Sequence, residues 1–185
     1  MPGKGGYTPG GTMQNEILVP LEFDADAAPN RCFLNVEGRV ARDGGEVVLG
    51  WVVNAEFDGL VDVYYHHPVW RKPSGELAEI TPKVWWDGAV YEEPTRFVPD
   101  PAALPNGEAP NRTALPPRYV PLVDDPDVRQ AAAYFEISEA ASYAGDMTKC
   151  AYYTGRSERC VNRYLKRVGK PPLRFGLPPV GVSRF

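Results

Sequence analysis

An α+β fold is predicted by three features of this sequence. A helical period follows Asn30, with Val36 and Val40 four residues apart on the Cys32 face and Gly44-Gly45 as a stop. Three strand-like runs come next, Glu46 to Asn54, Val61 to Trp70 and Leu77 to Thr81, rich in β-branched and aromatic residues. Two further helical patterns then follow a proline-dense stretch. The expected architecture is an N-terminal helix bearing Cys32, packed on a small antiparallel sheet, with additional C-terminal helices.

Taken in order, residues 1–14 are a Gly/Pro-rich arm with little to pack. An apolar run from Ile17 to Leu21 reads as a short strand, ended by Pro20. Asn30 is a good N-cap for a helix from about Arg31 to Arg42, in which Gly38 is a mild weakness. The three strands follow, and Val84 to Tyr91, broken by an Asp87-Gly88 turn, is a fourth candidate. Residues 15–91 thus form the core. Residues 92–126 read as a proline-rich wrapping loop, because no period is sustained there. A helical extension, 127–169, holds one helix from Asp125-Pro126-Asp127 to Gly145 and another from Ser157 to Val168; residues 170–185 are an extended basic tail.

The bulk properties narrow the function. A chain of 185 residues with 43% hydrophobic and 24% charged content buries a real core. No apolar run approaches the ~20 residues needed to span a bilayer, and the start lacks a signal-peptide pattern, so a cytoplasmic protein without membrane contact is expected. Three cysteines, at 32, 150 and 160, fit free thiols better than a disulfide framework. Cys150 and Cys160 lie ten apart with no paired histidine, and no phosphate loop or dinucleotide fingerprint is present, so neither metal nor cofactor is expected. Charge is uneven: nine Lys/Arg against one acid from Lys149 to Phe185, within a chain of net charge −4. Overall acidity makes nucleic acid an unlikely partner, but the basic end suits an acidic partner, a phosphate or the acidic body itself.

Cys32 is the most informative residue. A thiol in the first turn of a helix faces unpaired N–H groups and the positive end of the dipole, and both favour the thiolate. Downstream, alternation in Val61 to Trp70 places His67 with Val61, Val63, Tyr65 and Val69, and His66 with Trp70 on the other face. With Lys72-Pro73-Ser74 as the turn, the antiparallel register sets His67 opposite Glu79. A carboxylate on one imidazole nitrogen leaves the other to serve a nucleophile. Pro68, lacking a ladder donor, implies an edge or a bulge beside the histidine.

The run Cys32-Phe-Leu-Asn35-Val36, Gly44-Gly45, Gly50-Trp51, His67-Pro-Val-Trp70 and Pro73-x-Gly75-Glu-Leu77-x-Glu79-Ile80-Thr81-Pro82 resembles small bacterial and phage proteins of unassigned role. Its second half is similar to the His and Asp strands of transglutaminase-like and papain-like cysteine enzymes. The resemblance covers Arg31 to Pro82. It implies Cys32 as nucleophile, His67 as base and Glu79 as orienting acid, in a hydrolase or acyltransferase acting on an amide, ester or isopeptide bond of a peptide or protein. Trp70 and Asn35 are candidates for substrate binding, the first in an acyl groove and the second as an oxyanion donor beside Asn15 and Asn30. Two other readings stand beside this one: a non-catalytic protein, such as a phage component, that wraps an assembly partner, and a nucleic-acid accessory protein acting through the basic tail.

Overall fold

The computed structural model describes residues 15–22, 24–82, 93–108 and 113–175, and the fold is mixed α+β. The chain divides into two compact units. Among the described residues one comprises 15–54 and 64–117, and the other 55–63 and 118–175.

The first unit carries β1 (Ile17–Val19), α1 (Cys32–Asp43), β2 (Glu46–Glu56), β3 (Val61–Arg71), β4 (Leu77–Ala78) and β5 (Thr95–Pro99), with the tip of the β2–β3 hairpin belonging to the second unit. The strand order is β1-β5-β2-β3-β4. β5 lies inside the stretch expected to be a wrapping loop. Thr95 to Phe97 pair with β1 and Phe97 to Pro99 with β2, so Phe97 is paired on both sides, and it is fully buried. Four residues between Pro94 and Pro99, only Phe97 and Val98 of them apolar, are too short a run for periodicity to register. Arg96 also closes on Glu16 through two contacts of 2.8 and 2.9 Å, which pins β1 to β5. Beyond β1 the chain crosses to the other end of the strand order. Glu79 N–H donates to Pro20 O at 2.9 Å, and Glu22 N–H to Glu79 O at 2.8 Å.

Both faces of β3 are buried, where alternation had implied one apolar face. Trp70 packs with Val36, Ala78 and Ile80 against α1, while Val69 packs with Val19, Val52 and Phe97. The helix starts at Cys32, and Asn30 is not its cap: Asn30 has φ +62° and turns the chain into the helix. Asn tolerates that left-handed region better than most residues. Gly45 ends the helix segment at φ +88°, where a Cβ would stand 2.1 Å from Arg71 O. Backbone cannot yield there, so Gly45→Ala should lower stability by about 2 kcal/mol or more in a denaturant titration.

The predicted strand Val84 to Tyr91, and with it Trp85 and Trp86, lies outside the described residues. Pro68 sits in β3, between β2 and β4 in the strand order. β4 pairs only with Trp70 and Arg71, so Pro68 falls beyond that ladder and its missing N–H costs no bond on that side.

The second unit is built on α2 (Pro126–Tyr143) and α3 (Met147–Arg167). Asp125 and Asp146 cap them, accepting from Asp127 N–H and Lys149 N–H. The sequence placed the start of α3 at Ser157, ten residues late, because the Tyr152-Tyr153-Thr154-Gly155 run is weak in helix propensity. Buried Ala131, Ala132 and Ala141 let the two helices approach closely. Ser138 Oγ bonds Cys150 O and Thr154 Oγ1 across the interface, and Ser157 Oγ donates to Ala131 O. β6 (Arg118–Pro121) pairs with β3. In the hairpin turn, Phe57 holds φ +56°, strained for an aromatic residue, and is stacked on Phe135 with ring centroids 4.4 Å apart. Cys150 and Cys160 are buried free thiols. Among the described residues no helix is long and apolar enough to cross a membrane, and no group of three or more His, Cys, Asp or Glu side chains is placed to hold a metal.

Candidate active site

Cys32, His67 and Glu79 come together in the first unit. Cys32 is the first residue of α1, and Arg31 precedes it without a side-chain cap and with no acid in the first turn. The leading N–H groups of the helix, whose partners must come from outside it, are thus not answered by a capping side chain or opposed by a local negative charge. Cys32 is 6% exposed, His67 3% and Glu79 0%.

His67 Nε2 stands 2.7 Å from Glu79 Oε2. Neither atom has another hydrogen-bond partner among the described residues, so each answers only the other. The register behind this contact differs from the predicted one. Trp70 is opposite Ala78 and Arg71 opposite Leu77, because the turn is longer than Lys72-Pro73-Ser74: Lys72 N–H reaches Glu76 O at 2.8 Å, with Gly75 at φ +94°. Continuing that register puts Glu79 beside Val69, two residues from the predicted position. A shift of two preserves the face, and Glu79 therefore reaches His67 diagonally. The extra methylene that separates glutamate from aspartate suits that longer span.

The Cys32 sulfur lies near enough to the same imidazole to act on its charge. Burial alone would push His67 down, but the Glu79 carboxylate and the Cys32 sulfur outweigh it and raise its pKa to about 10. The ring is thus an imidazolium at neutral pH.

Asn35 does not face a substrate. Its Nδ2 donates to Ala28 O at 2.8 Å and Thr81 Oγ1 at 3.2 Å, and its Oδ1 accepts from Ala28 N–H at 3.1 Å. Both amide hydrogens are occupied, which removes it as an oxyanion donor. Thr81 N–H in turn donates to Glu79 Oε1 at 2.8 Å. A closed circuit results, from Cys32 along α1 to Asn35, through Thr81 to Glu79, and through His67 back to Cys32. Asn35→Ala should therefore loosen the alignment of Glu79, seen as slower Cys32 alkylation with Asn35→Asp partly restoring the contact to Thr81. Trp70, also expected at a substrate groove, is a core residue: its Nε1 donates to Gly44 O at 2.9 Å and the Arg39 guanidinium covers its ring at 4.5 Å.

Sequence reasoning missed three supports. Thr81 was visible only as part of the Ile-Thr-Pro run. His66 is a structural latch, its Nε2–H donating to Ala103 O at 2.7 Å while Nδ1 accepts from Leu115 N–H at 3.0 Å, between Phe33 and Trp51. A carbonyl can only accept and an amide N–H only donate, so the neutral Nε2–H tautomer is fixed. Asp24 is buried and takes Arg39 at 3.1 Å and Arg42 at 2.8 Å, tying the segment before Cys32 to α1. The signal for it was the Arg39/Arg42 pair on one helix face. Burial opposes ionisation of Asp24, but the Asp26 N–H and the two guanidinium groups hold its carboxyl below 3.8. Its stabilisation is complete above that pH and lost as pH falls through the lowered value. Asp24→Asn should flatten the acid limb of the stability–pH curve.

Comparison with protein-family models, curated proteins and solved structures finds no match to this chain.

Proposed function

We propose that this chain is a cysteine-dependent hydrolase or acyltransferase acting on an amide, ester or isopeptide bond. The observation that carries the reading is the fully buried His67–Glu79 pair at 2.7 Å with a helix-opening thiol in reach of the same ring. Three ionisable groups shut away from water gain little stability over apolar side chains of similar size, since desolvation offsets their attraction. Their convergence is better explained by chemistry. The resemblance of Arg31 to Pro82 to transglutaminase-like and papain-like enzymes points the same way.

In this reading Cys32 Sγ attacks the carbonyl carbon and the carbonyl oxygen takes the negative charge, beside the N–H groups that open α1. His67 then gives its proton to the departing amine or alcohol, leaving a thioester. Water or an amine, deprotonated by His67, attacks the thioester and releases Cys32. Glu79 keeps the ring oriented throughout and favours its charged form whenever His67 holds the proton. All three side chains are buried, Cys32 the least so at 6% exposure.

The test is iodoacetamide modification of the intact protein across pH 5–9, with sites assigned by mass spectrometry. Cys32 should react at pH 6 at least tenfold faster than a free thiol, whose ordinary pKa is about 8.5. Reaction no faster than a free thiol at neutral pH would overturn the proposal.

A further inference from the structure

The arginines of α3 fall into two groups. Arg163 and Arg167 are drawn to the start of α2, where Asp127 binds both and Asp125 holds Arg167 at 2.8 Å. Arg156 and Arg159 pair with no carboxylate among the described residues. Arg156 reaches the Tyr152 hydroxyl at 2.8 Å and lies over the Tyr134 ring at 4.8 Å, and Arg159 is exposed. Arg156, Arg159 and Arg163 are three and four residues apart, so they share one face of the helix. Gln130 and Tyr134, four apart on α2, face them. With Cys160 these residues line a recess of about 300 Å³ that contains no acidic side chain.

We propose that this recess binds a small phosphate monoester. Two guanidinium groups without acids match the roughly two negative charges of a monoester dianion, and their planar forks suit its oxygens. The volume is at the lower end for small-molecule sites, about 300–1,000 Å³, and leaves room for an organic group beyond the phosphate. The Gln130 amide offers both a donor and an acceptor to that group. The site is independent of Cys32 and lies within the second unit.

Thermal unfolding of the intact protein, titrated with glycerol 3-phosphate, tests this against inorganic phosphate, sodium chloride at matched ionic strength and a short mixed-sequence single-stranded oligonucleotide. A saturable rise in midpoint with the monoester is expected. It should weaken at least tenfold in Arg159→Ala, which loses no carboxylate partner among the described residues, and disappear in Arg156→Gln with Arg159→Ala. Binding should also fall from pH 7 to pH 5 as the phosphate takes up its second proton near pH 6. A rise no greater than that given by chloride, a rise unchanged in Arg159→Ala, or tight oligonucleotide binding with none of the monoester would each overturn the proposal.

Discussion

Replacing His67 with Ala should slow alkylation of Cys32 at pH 6 by about 10- to 300-fold, the span between a free thiol of pKa about 8.5 and a full thiolate. In the proposed function the imidazolium beside Cys32 keeps the sulfur reactive below neutral pH, and alanine removes it. Glu79→Gln should give a smaller loss with a distinct pH signature. The amide keeps the shape but not the charge, so burial would no longer be outweighed and His67 would give up its proton nearer neutrality. Reactivity would then rise with pH as in an ordinary thiol instead of persisting on the acid side. All three cysteines are buried, so modification must be mapped by site, and the Cys32 adduct is the readout that counts.

Removing the Glu79 side chain should be costly to the fold, and removing the whole pair should not. In Glu79→Ala the histidine is left buried without its counter-charge, a change that costs roughly 3–5 kcal/mol in comparable sites. Because the orphaned ring can shed its proton, the loss should grow as pH falls. Combining His67→Leu with Glu79→Leu removes both charges, and stability should return to the wild-type level or exceed it by about 1–4 kcal/mol. Chemical denaturation at pH 6 and pH 9 checks both. The sign follows from His67: a pKa raised from 6.5 to about 10 contributes stability that is full below pH 6.5 and lost as pH rises through 10. Wild type should therefore weaken between those limits, and the double variant should not. A double variant less stable than Glu79→Ala would mean that the pair is kept for folding and would remove the main argument for chemistry.

Much of this arrangement was legible in the sequence, because it depends on parity and on helix starts. Period-two alternation put His67 and Glu79 on one face, and a slip of two residues left that relation intact. The length of the turn was not legible, since Gly75 and Glu76 read equally well as strand or loop. The first helix was found one residue from its observed start, but the role of Asn30 was misassigned: a residue that caps helices also accepts positive φ, and local sequence does not separate the two. Asn35 and Trp70 were misread for another reason. Polar and aromatic residues near a nucleophile look the same whether they face a ligand or the scaffold, and only long-range partners such as Thr81 and Gly44 decide. β5 escaped notice because its burial comes from strands far away in sequence, not from any pattern of its own.

The hydrogen bonds joining Pro20 and Glu22 to Glu79 have a consequence for how the site comes into being. They close a loop of nearly sixty residues, and Cys32 and His67 both lie inside it. Such non-local pairing is entropically late in folding, because the chain must be fixed over a long span before the contact rewards it. On the ribosome the carboxylate that holds His67 is absent until residue 79 has emerged. The grouping of Cys32, His67 and Glu79 is therefore a property of the finished domain, absent from a nascent or partly folded chain.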